Sequence, residues 1–126
     1  MSTLRLDTIQ DQAGNNASTP DEIYSGRAKA WVNFNGTFGT SPFTIGNGGI
    51  RAAFNVSSIT DNGTGDYTMN FTTALPDANY AVTGCYGTTS GSINFQNTNT
   101  VSVQLELANS SGTLIDRSFV TVAIFR

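Results

Sequence analysis

Two runs of strand-forming residues, joined by a loop of asparagine and glycine, constrain the fold of this chain most strongly. In residues 67–71 every second residue is apolar, so one face of a strand is buried while the other is exposed. Residues 54–59 form the preceding run, and the loop 61–65 between them favours the positive backbone angles of a tight turn. The stretch therefore predicts a β-hairpin.

The same alternation recurs along the rest of the chain. In residues 28–35 the even-numbered residues are apolar, which places Trp31 on the opposite, outer face of that strand. In residues 100–107 the odd-numbered residues are apolar. Residues 115–125 are apolar at both parities, which is typical of a central strand or a subunit contact. With turns about every ten residues, and with 50–59 counted as one strand, the pattern predicts an antiparallel β-sandwich or barrel of about seven strands.

Residues 1–26, here called the leader, differ from the β-domain expected over 27–126. Residues 4–9 could form a short strand that pairs with a neighbouring copy or a mounting protein, and a disordered tail is the alternative. Thr19, Pro20 and Glu22 have the spacing of a helix N-terminus. The leader is thus expected to serve attachment or oligomerisation, and the candidate oligomer contacts are Leu4, Leu6, Ile9, Trp31 and Phe125.

Loops of successive antiparallel strands fall at alternate ends of a domain. On this count the Gly-rich loop 36–49, the turn at 74–79, the turn at 97–99 and the C-terminus share the end away from the leader, whereas the turn at 61–65 lies near it. Recognition at this crowded end is expected, although the two Phe residues could instead cover the core and turn chemistry explains many of the Asn residues. The receptor-binding candidates are Phe38, Pro42, Phe43, Asn47, Asn97 and Asn99.

The composition excludes several functional classes. The chain has no histidine and one cysteine, which excludes catalysis by a histidine general base and a metal motif with two cysteines. Cys85 is expected to be buried, and Asp61 and Asp66 have turn explanations that make a glycan-cleaving carboxylate pair the least favoured hypothesis. We therefore expect a non-enzymatic protein without metal or cofactor.

Charge and hydropathy narrow the expected partners. Six basic against nine acidic side chains give no basic surface for nucleic acid. The first residues lack the apolar run of a secretory signal, and no stretch approaches the roughly 18 apolar residues of a membrane span. We expect synthesis in a cytoplasm, without membrane insertion.

Four segments of the sequence resemble those of tail-fibre and related virion structural proteins of marine tailed phages, including cyanophages. They are LRLDTIQDQAGNN (4–16), GRAKAWVNFNGT (26–37), IRAAFNVSSITDNGTGDYTMNFTTALPDANYAV (50–82) and SFVTVAIFR (118–126). Residues 36–49 and 83–115 depart most from the family pattern. The resemblance implies a homotrimeric fibre or fibre tip in the virion, whose leader attaches to other tail or capsid proteins and whose β-domain contacts the host surface.

Two other roles within and beyond the virion stay open at this point. A capsid-decorating, head-fibre or tail-adaptor protein would use the same leader to dock on the particle, and a depolymerase would need paired carboxylates. A charge-poor surface rich in amide and hydroxyl groups with a few aromatic rings suits hydrogen bonding to, and stacking on, the sugars of a host glycan. A host surface glycan or protein is accordingly the expected external partner.

Overall fold

The computed structural model describes residues 2–87 and 90–126. Over these residues the chain is all-β with one short helix, which confirms the expected fold class. The elements in chain order are α1 (Pro20–Gly26), β1 (Ala28–Phe34), β2 (Ile50–Phe54), β3 (Val56–Gly63), β4 (Asp66–Phe71), β5 (Ala81–Tyr86), β6 (Ser92–Gln96), β7 (Ser102–Ala108) and β8 (Val120–Phe125).

The strands form two four-stranded antiparallel sheets that pack face to face as a β-sandwich. One sheet has the order β2-β1-β8-β5 and the other has the order β3-β4-β7-β6. The predicted hairpin is β3–β4, in which Ile59 pairs with Met69 and Thr60 pairs with Thr68. The alternation expected for 28–35 and 100–107 is also observed, since the apolar residues of β1 and β7 face the core between the sheets.

The centre of the core is a cluster of three fully buried aromatic rings, one of which comes from the long loop after β1. Phe34 lies 5.3 Å from Tyr67 and 6.2 Å from Phe43, measured between ring centroids. The Tyr67 hydroxyl lies 2.7 Å from the Gly36 carbonyl oxygen and 2.6 Å from Asp116 Oδ1, so this buried polar group is satisfied. The cluster joins both sheets and their loops into one core.

The sequence 50–59 was predicted as one strand, and the structure shows two strands in different sheets. Asn55 separates them and has a φ of 54°, a backbone conformation that asparagine adopts more readily than most residues. Its side-chain amide donates to Lys29 O at 3.2 Å and Thr73 O at 3.1 Å, and its Oδ1 accepts from Thr73 N at 2.8 Å. The strand count is therefore eight, because one asparagine reverses the chain between β2 and β3.

This additional strand inverts the predicted position of every later loop. At the end where β1 begins, here called the leader end, Leu75 N donates to Thr100 O at 2.8 Å, so the loops around them lie together. Arg126 pairs with Asp77 at the same end, which also places the C-terminus there. The expectation that Pro76, Asn97, Asn99 and the C-terminus lie away from the leader is wrong for this reason.

The opposite end, here called the far end, holds a different set of loops. Gly36 N donates to Arg117 O at 2.8 Å, and Gly65 N donates to Asp116 Oδ1 at 2.7 Å. The hairpin turn at 61–65 thus lies beside the 36–49 loop, whereas the sequence predicted opposite ends for them. The loop 87–91, predicted near the leader, includes residues 88 and 89, which lie outside the described residues.

The leader contains the predicted helix start, but its predicted strand is not formed. Thr19 caps α1, and the side chain of Glu22 completes the capping box by accepting from Thr19 N at 2.7 Å. Within residues 2–19 an isolated β-bridge pairs Ile9 with Ser18, and a turn in which Asp11 N donates to Asn15 O folds the leader back on itself. The helix buries none of its own residues.

One buried lysine fastens the helix to the sandwich. Lys29 Nζ donates to the carbonyl oxygens of Tyr24 and Arg27, and it lies 3.8 Å from the centroid of the Tyr24 ring. Burial, followed by repulsion from Arg27, lowers the pKa of Lys29 below its ordinary value. The helix is therefore held at the leader end while most of its surface stays exposed.

Candidate functional site

The outer surface of the β2-β1-β8-β5 sheet carries exposed aromatic and small side chains, although it faces away from the core. Cross-strand pairing places Phe54, Trp31, Ala123 and Thr83 in one row across all four strands. The Trp31 side chain is 39% exposed and Phe54 is 51% exposed. Other residues of this surface, here called the aromatic face, are Ala52, Asn33, Thr121, Cys85, Ala81 and Phe125.

A shallow groove of about 470 Å³ runs beside Trp31 on the aromatic face. Small residues of the two neighbouring strands line it, among them Ala123, Thr121 and Cys85. The expectation that Cys85 is buried is wrong, because β5 is an edge strand whose alternate residues point outward. Trp31 and Cys85, the only tryptophan and the only cysteine of the chain, thus line the same groove.

The outer surface of the β3-β4-β7-β6 sheet has the opposite chemistry. Its cross-strand rows contain serine, threonine, asparagine, glutamine and two carboxylates, and the apolar side chain among them, Ala108, is buried. One row runs Thr60, Thr68, Gln104, Gln96, and the neighbouring rows include Ser58, Asn70, Ser102, Asp66, Glu106 and Asn94. This surface is here called the polar face.

Side chains of the polar face bond largely to one another. Asp66 Oδ1 accepts from Gln104 at 2.7 Å and from Asn62 at 3.1 Å. Asn70 donates to Thr60 Oγ1 at 3.0 Å. A partner that covered this face without water would have to replace or match these bonds, so the face is suited to contact with water.

The two carboxylates weighed for glycan cleavage both have structural partners. Asp61 Oδ1 accepts from Gly63 N at 2.9 Å, which closes the hairpin turn. Asp66 belongs to the hydrogen-bonded network of the polar face. Neither carboxylate lines the grooves described for this chain.

Four receptor-binding candidates lie together in the 36–49 loop at the far end, but they differ in exposure. Phe43 is 0% exposed and belongs to the core cluster, so the structure favours the alternative of a core-covering role and the surface prediction for this residue is wrong. Phe38 is half-buried and packs against Phe43 with ring centroids 5.7 Å apart. Pro42 is exposed, and Asn47 Oδ1 accepts from Thr44 N at 2.9 Å to hold the loop.

The remaining two candidates, Asn97 and Asn99, lie at the leader end and do not join that group. Asn97 has a φ of 48° and bonds to Gln104, whereas Asn99 Oδ1 accepts from Val101 N and Ser102 N at 2.9 Å each. Their amides therefore serve the turn between β6 and β7. The structure brings no single surface together from the six predicted residues.

The predicted oligomer contacts fall on two separate surfaces. Trp31 and Phe125 lie on the aromatic face. Leu4, Leu6 and Ile9 lie beside α1, where Leu4 is 81% exposed. The leader residues line an apolar groove of about 330 Å³ with Ile23 and Tyr24, and these five residues are here called the leader patch.

Charge is distributed unevenly between the leader and the sandwich. Residues 1–26 contain four carboxylates and one arginine, a net charge of −3, whereas residues 27–126 contain five acidic and five basic side chains. On the sheet that carries the aromatic face the charged side chains are Lys29 in β1 and Arg51 in β2, both positive. Arg51 lies at the rim, where it donates to Asn33 Oδ1 at 3.2 Å.

Sequence reasoning missed two members of the aromatic face, Phe54 and Cys85, and also missed Phe119, which contacts Arg51 at its rim. Phe54 was assigned to a continuous strand 50–59, so its partner Trp31 could not be identified. Phe119 precedes β8 and lies under the Arg51 guanidinium at 5.8 Å. The signal that could have found Phe54 is Asn55, since asparagine within an apolar run marks a possible reversal.

Comparison of the chain with protein-family models, curated proteins and solved structures finds no match in any of the three. Among residues 2–87 and 90–126, no group of histidine, cysteine, aspartate or glutamate side chains is placed to hold a metal ion. In the same part of the chain no helix has the length and apolarity needed to cross a membrane. The surfaces described above, namely the two outer faces, the leader patch and the exposed part of the 36–49 loop, are the candidate functional surfaces.

Proposed function

We propose that this chain is a non-enzymatic phage virion protein, a homotrimeric tail fibre or fibre tip that contacts the host cell surface. The observation that supports it best is the difference between the two outer faces. A monomer gains nothing from the exposed, neighbouring aromatic side chains of Trp31 and Phe54, whereas an assembly buries them and leaves the polar face in water. The resemblance of four sequence segments to phage fibre proteins supplies the virion context.

In this proposal the exposed part of the 36–49 loop at the far end meets the host. Pro42 and Ile45 are exposed there, and the loop is held by side-chain bonds of Asn47 and Asn35. The preformed loop presents Pro42, Ile45 and backbone groups to a saccharide or protein receptor, with little ordering required on binding.

The test has two parts. Native mass spectrometry of the purified chain is expected to give a trimer, and a stable monomer would contradict the assembled fibre. Immunogold labelling of the particle is expected on the tail. Labelling confined to the head would replace the tail fibre by a capsid-decorating protein, in which the leader docks on the particle.

A further inference from the structure

We propose that the leader patch of one copy packs against the aromatic face of the next copy, so that each chain donates one surface and accepts at the other. This inference rests on the proposed homotrimer and specifies its contact. It starts from a feature of the single chain: both surfaces are apolar and both stay exposed together. The chain's own leader is fastened at the leader end through Lys29 and leaves the groove beside Trp31 open.

The shapes of the two surfaces are complementary. The aromatic face presents Trp31 and Phe54 as neighbouring cross-strand rings that project from the sheet. The leader patch is concave, because its groove lies between the leader and α1, and this groove is lined by aliphatic side chains together with Pro20, Tyr24 and Arg27. A projecting ring that enters an apolar groove is the usual centre of a well-packed interface.

The charges of the two surfaces are also complementary. The leader carries Asp7, Asp11, Asp21 and Glu22 against one arginine, and thus the whole net charge of the chain. The strands of the sheet that bears the aromatic face contribute the exposed Arg51 and the buried Lys29, which is bonded to its own helix, and they contain no carboxylate. A leader from another copy is therefore attracted to this sheet, whereas two aromatic faces brought together would oppose like charges.

The symmetry of a trimer requires such an arrangement. A contact between two identical surfaces closes as a two-fold dimer, whereas a ring of three copies needs two different surfaces on each chain. The leader patch and the aromatic face are two different apolar surfaces on one chain. A leader-to-face contact thus satisfies both the burial of apolar side chains and the closure of a three-membered ring.

Disulfide mapping with the single native cysteine tests this contact. Cys85 lines the aromatic face, so cysteines introduced one at a time as Leu4→Cys, Leu6→Cys and Ile9→Cys sample the path of the neighbouring leader. A disulfide forms only where the two Cα atoms come within about 7 Å. After mild oxidation with oxidised glutathione, at least one variant is expected to give a covalent trimer on a non-reducing gel.

A matched control is Ile45→Cys, since Ile45 is an apolar side chain, 60% exposed, in the 36–49 loop at the far end. This variant is expected to give no covalent trimer. Adding Cys85→Ser to the cross-linking leader variant is expected to abolish the product. Labelling of Cys85 by maleimide in the wild-type chain is expected to be at least about tenfold slower in the trimer than in urea, because the thiol is covered.

The other outcomes each overturn the inference in a recognisable way. A disulfide within one chain would show that the leader folds onto its own sandwich, and a wild-type dimer linked through Cys85 would show that two aromatic faces meet. A native trimer without any of these disulfides would leave the proposed fibre standing and remove this contact. A monomer with fully reactive Cys85 would remove both the contact and the proposed assembly.

Discussion

The aromatic face and the polar face are built on sheets of equal size around one core, yet they have opposite surfaces. Both sheets send alternate apolar residues inward, so the core requires the same pattern from each. The outward residues are free of that requirement. On one sheet they include tryptophan, phenylalanine and alanine beside threonine, Asn33 and Cys85, and on the other they are mainly amides, hydroxyls and carboxylates. Folding alone does not require this difference, and the proposed assembly would account for it.

Hydrogen bonding strengthens this contrast. The polar face satisfies much of its own hydrogen-bonding capacity through pairs such as Asn70 with Thr60, so covering it would cost the hydration of the remaining groups. The aromatic face has little hydration to lose, and its rings gain from burial at roughly 25 cal/mol per Å². The four predictions below test this comparison in order of expected effect.

The largest effect on stability is expected at the junction between the two sheets. Asn55→Val puts a β-branched residue at a φ of 54° and removes the bonds to Lys29 and Thr73. We expect the free energy of unfolding to fall by about 3–4 kcal/mol, measured by urea denaturation. Asn55→Gly keeps the backbone angle and should lose only about 1–2 kcal/mol; equal losses would contradict the role of strain.

A carboxylate introduced on each face in turn tests which of the two faces is buried in the proposed assembly. Ala123→Glu puts a carboxylate in the middle of the aromatic face, where the proposed contact would bury it unpaired against an acidic leader. We expect the free energy of trimer dissociation to fall by about 3 kcal/mol, which raises the dissociation constant roughly 100-fold or more. Sedimentation over a concentration series measures this change. Gln96→Glu on the polar face is the matched control and should leave the mass unchanged; dissociation in both would remove the distinction between the faces.

The sheets also meet at the far end through Tyr67, which should affect stability but not assembly. Burial, followed by bonding to Asp116, raises the pKa of Tyr67 well above its ordinary value. The unfolded tyrosine ionises near pH 10 while the folded one stays neutral, so stability is lost as the pH rises above about 10, by up to about 1.4 kcal/mol per unit.

Tyr67→Phe should therefore cost about 1–2 kcal/mol at neutral pH and flatten the alkaline part of the stability curve. Urea denaturation at pH 7 and pH 11 measures both effects. An unchanged alkaline slope in the variant would contradict the assignment to Tyr67.

The smallest effect is expected at the leader end, where Arg126 closes the aromatic-face sheet onto Asp77. The hydrogen bond from Arg126 lowers the pKa of Asp77, so the pair stabilises the fold above the ordinary aspartate pKa and loses this effect as the pH falls through the lowered value. Because the pair is exposed, the effect is small. The thermal midpoint of Asp77→Asn should fall less than that of the wild type when the pH is lowered below about 4. If both proteins lose the same thermal stability over this pH range, the pair contributes nothing.

The core and the fold class could be predicted because they depend on local periodicity. Alternation in residues 67–71 and 100–107 identified the buried side chains of β4 and β7, and the capping residues Thr19 and Glu22 identified the helix. The same alternation placed Trp31 outside the core. These features need no knowledge of which strands are neighbours.

The arrangement of loops could not be predicted, because it depends on one residue. Asn55 divides an apparently continuous strand, and a single missed reversal exchanges the two ends of the sandwich for every loop that follows. Asn97 and Asn99 were therefore grouped with Phe38, although the loop between β6 and β7 lies at the opposite end. Periodicity determines which residues are buried, whereas single backbone reversals determine which loops are neighbours.

The uneven distribution of charge has a consequence for the protein in solution. Since residues 27–126 are electrically neutral overall, the leader alone supplies the net charge by which separate assemblies repel one another in a concentrated solution at neutral pH. Proteolytic loss of the leader would leave a neutral sandwich with Trp31 and Phe54 exposed. Such a fragment would precipitate at concentrations at which the intact chain stays dissolved, and its electrophoretic migration would nearly cease at pH 7.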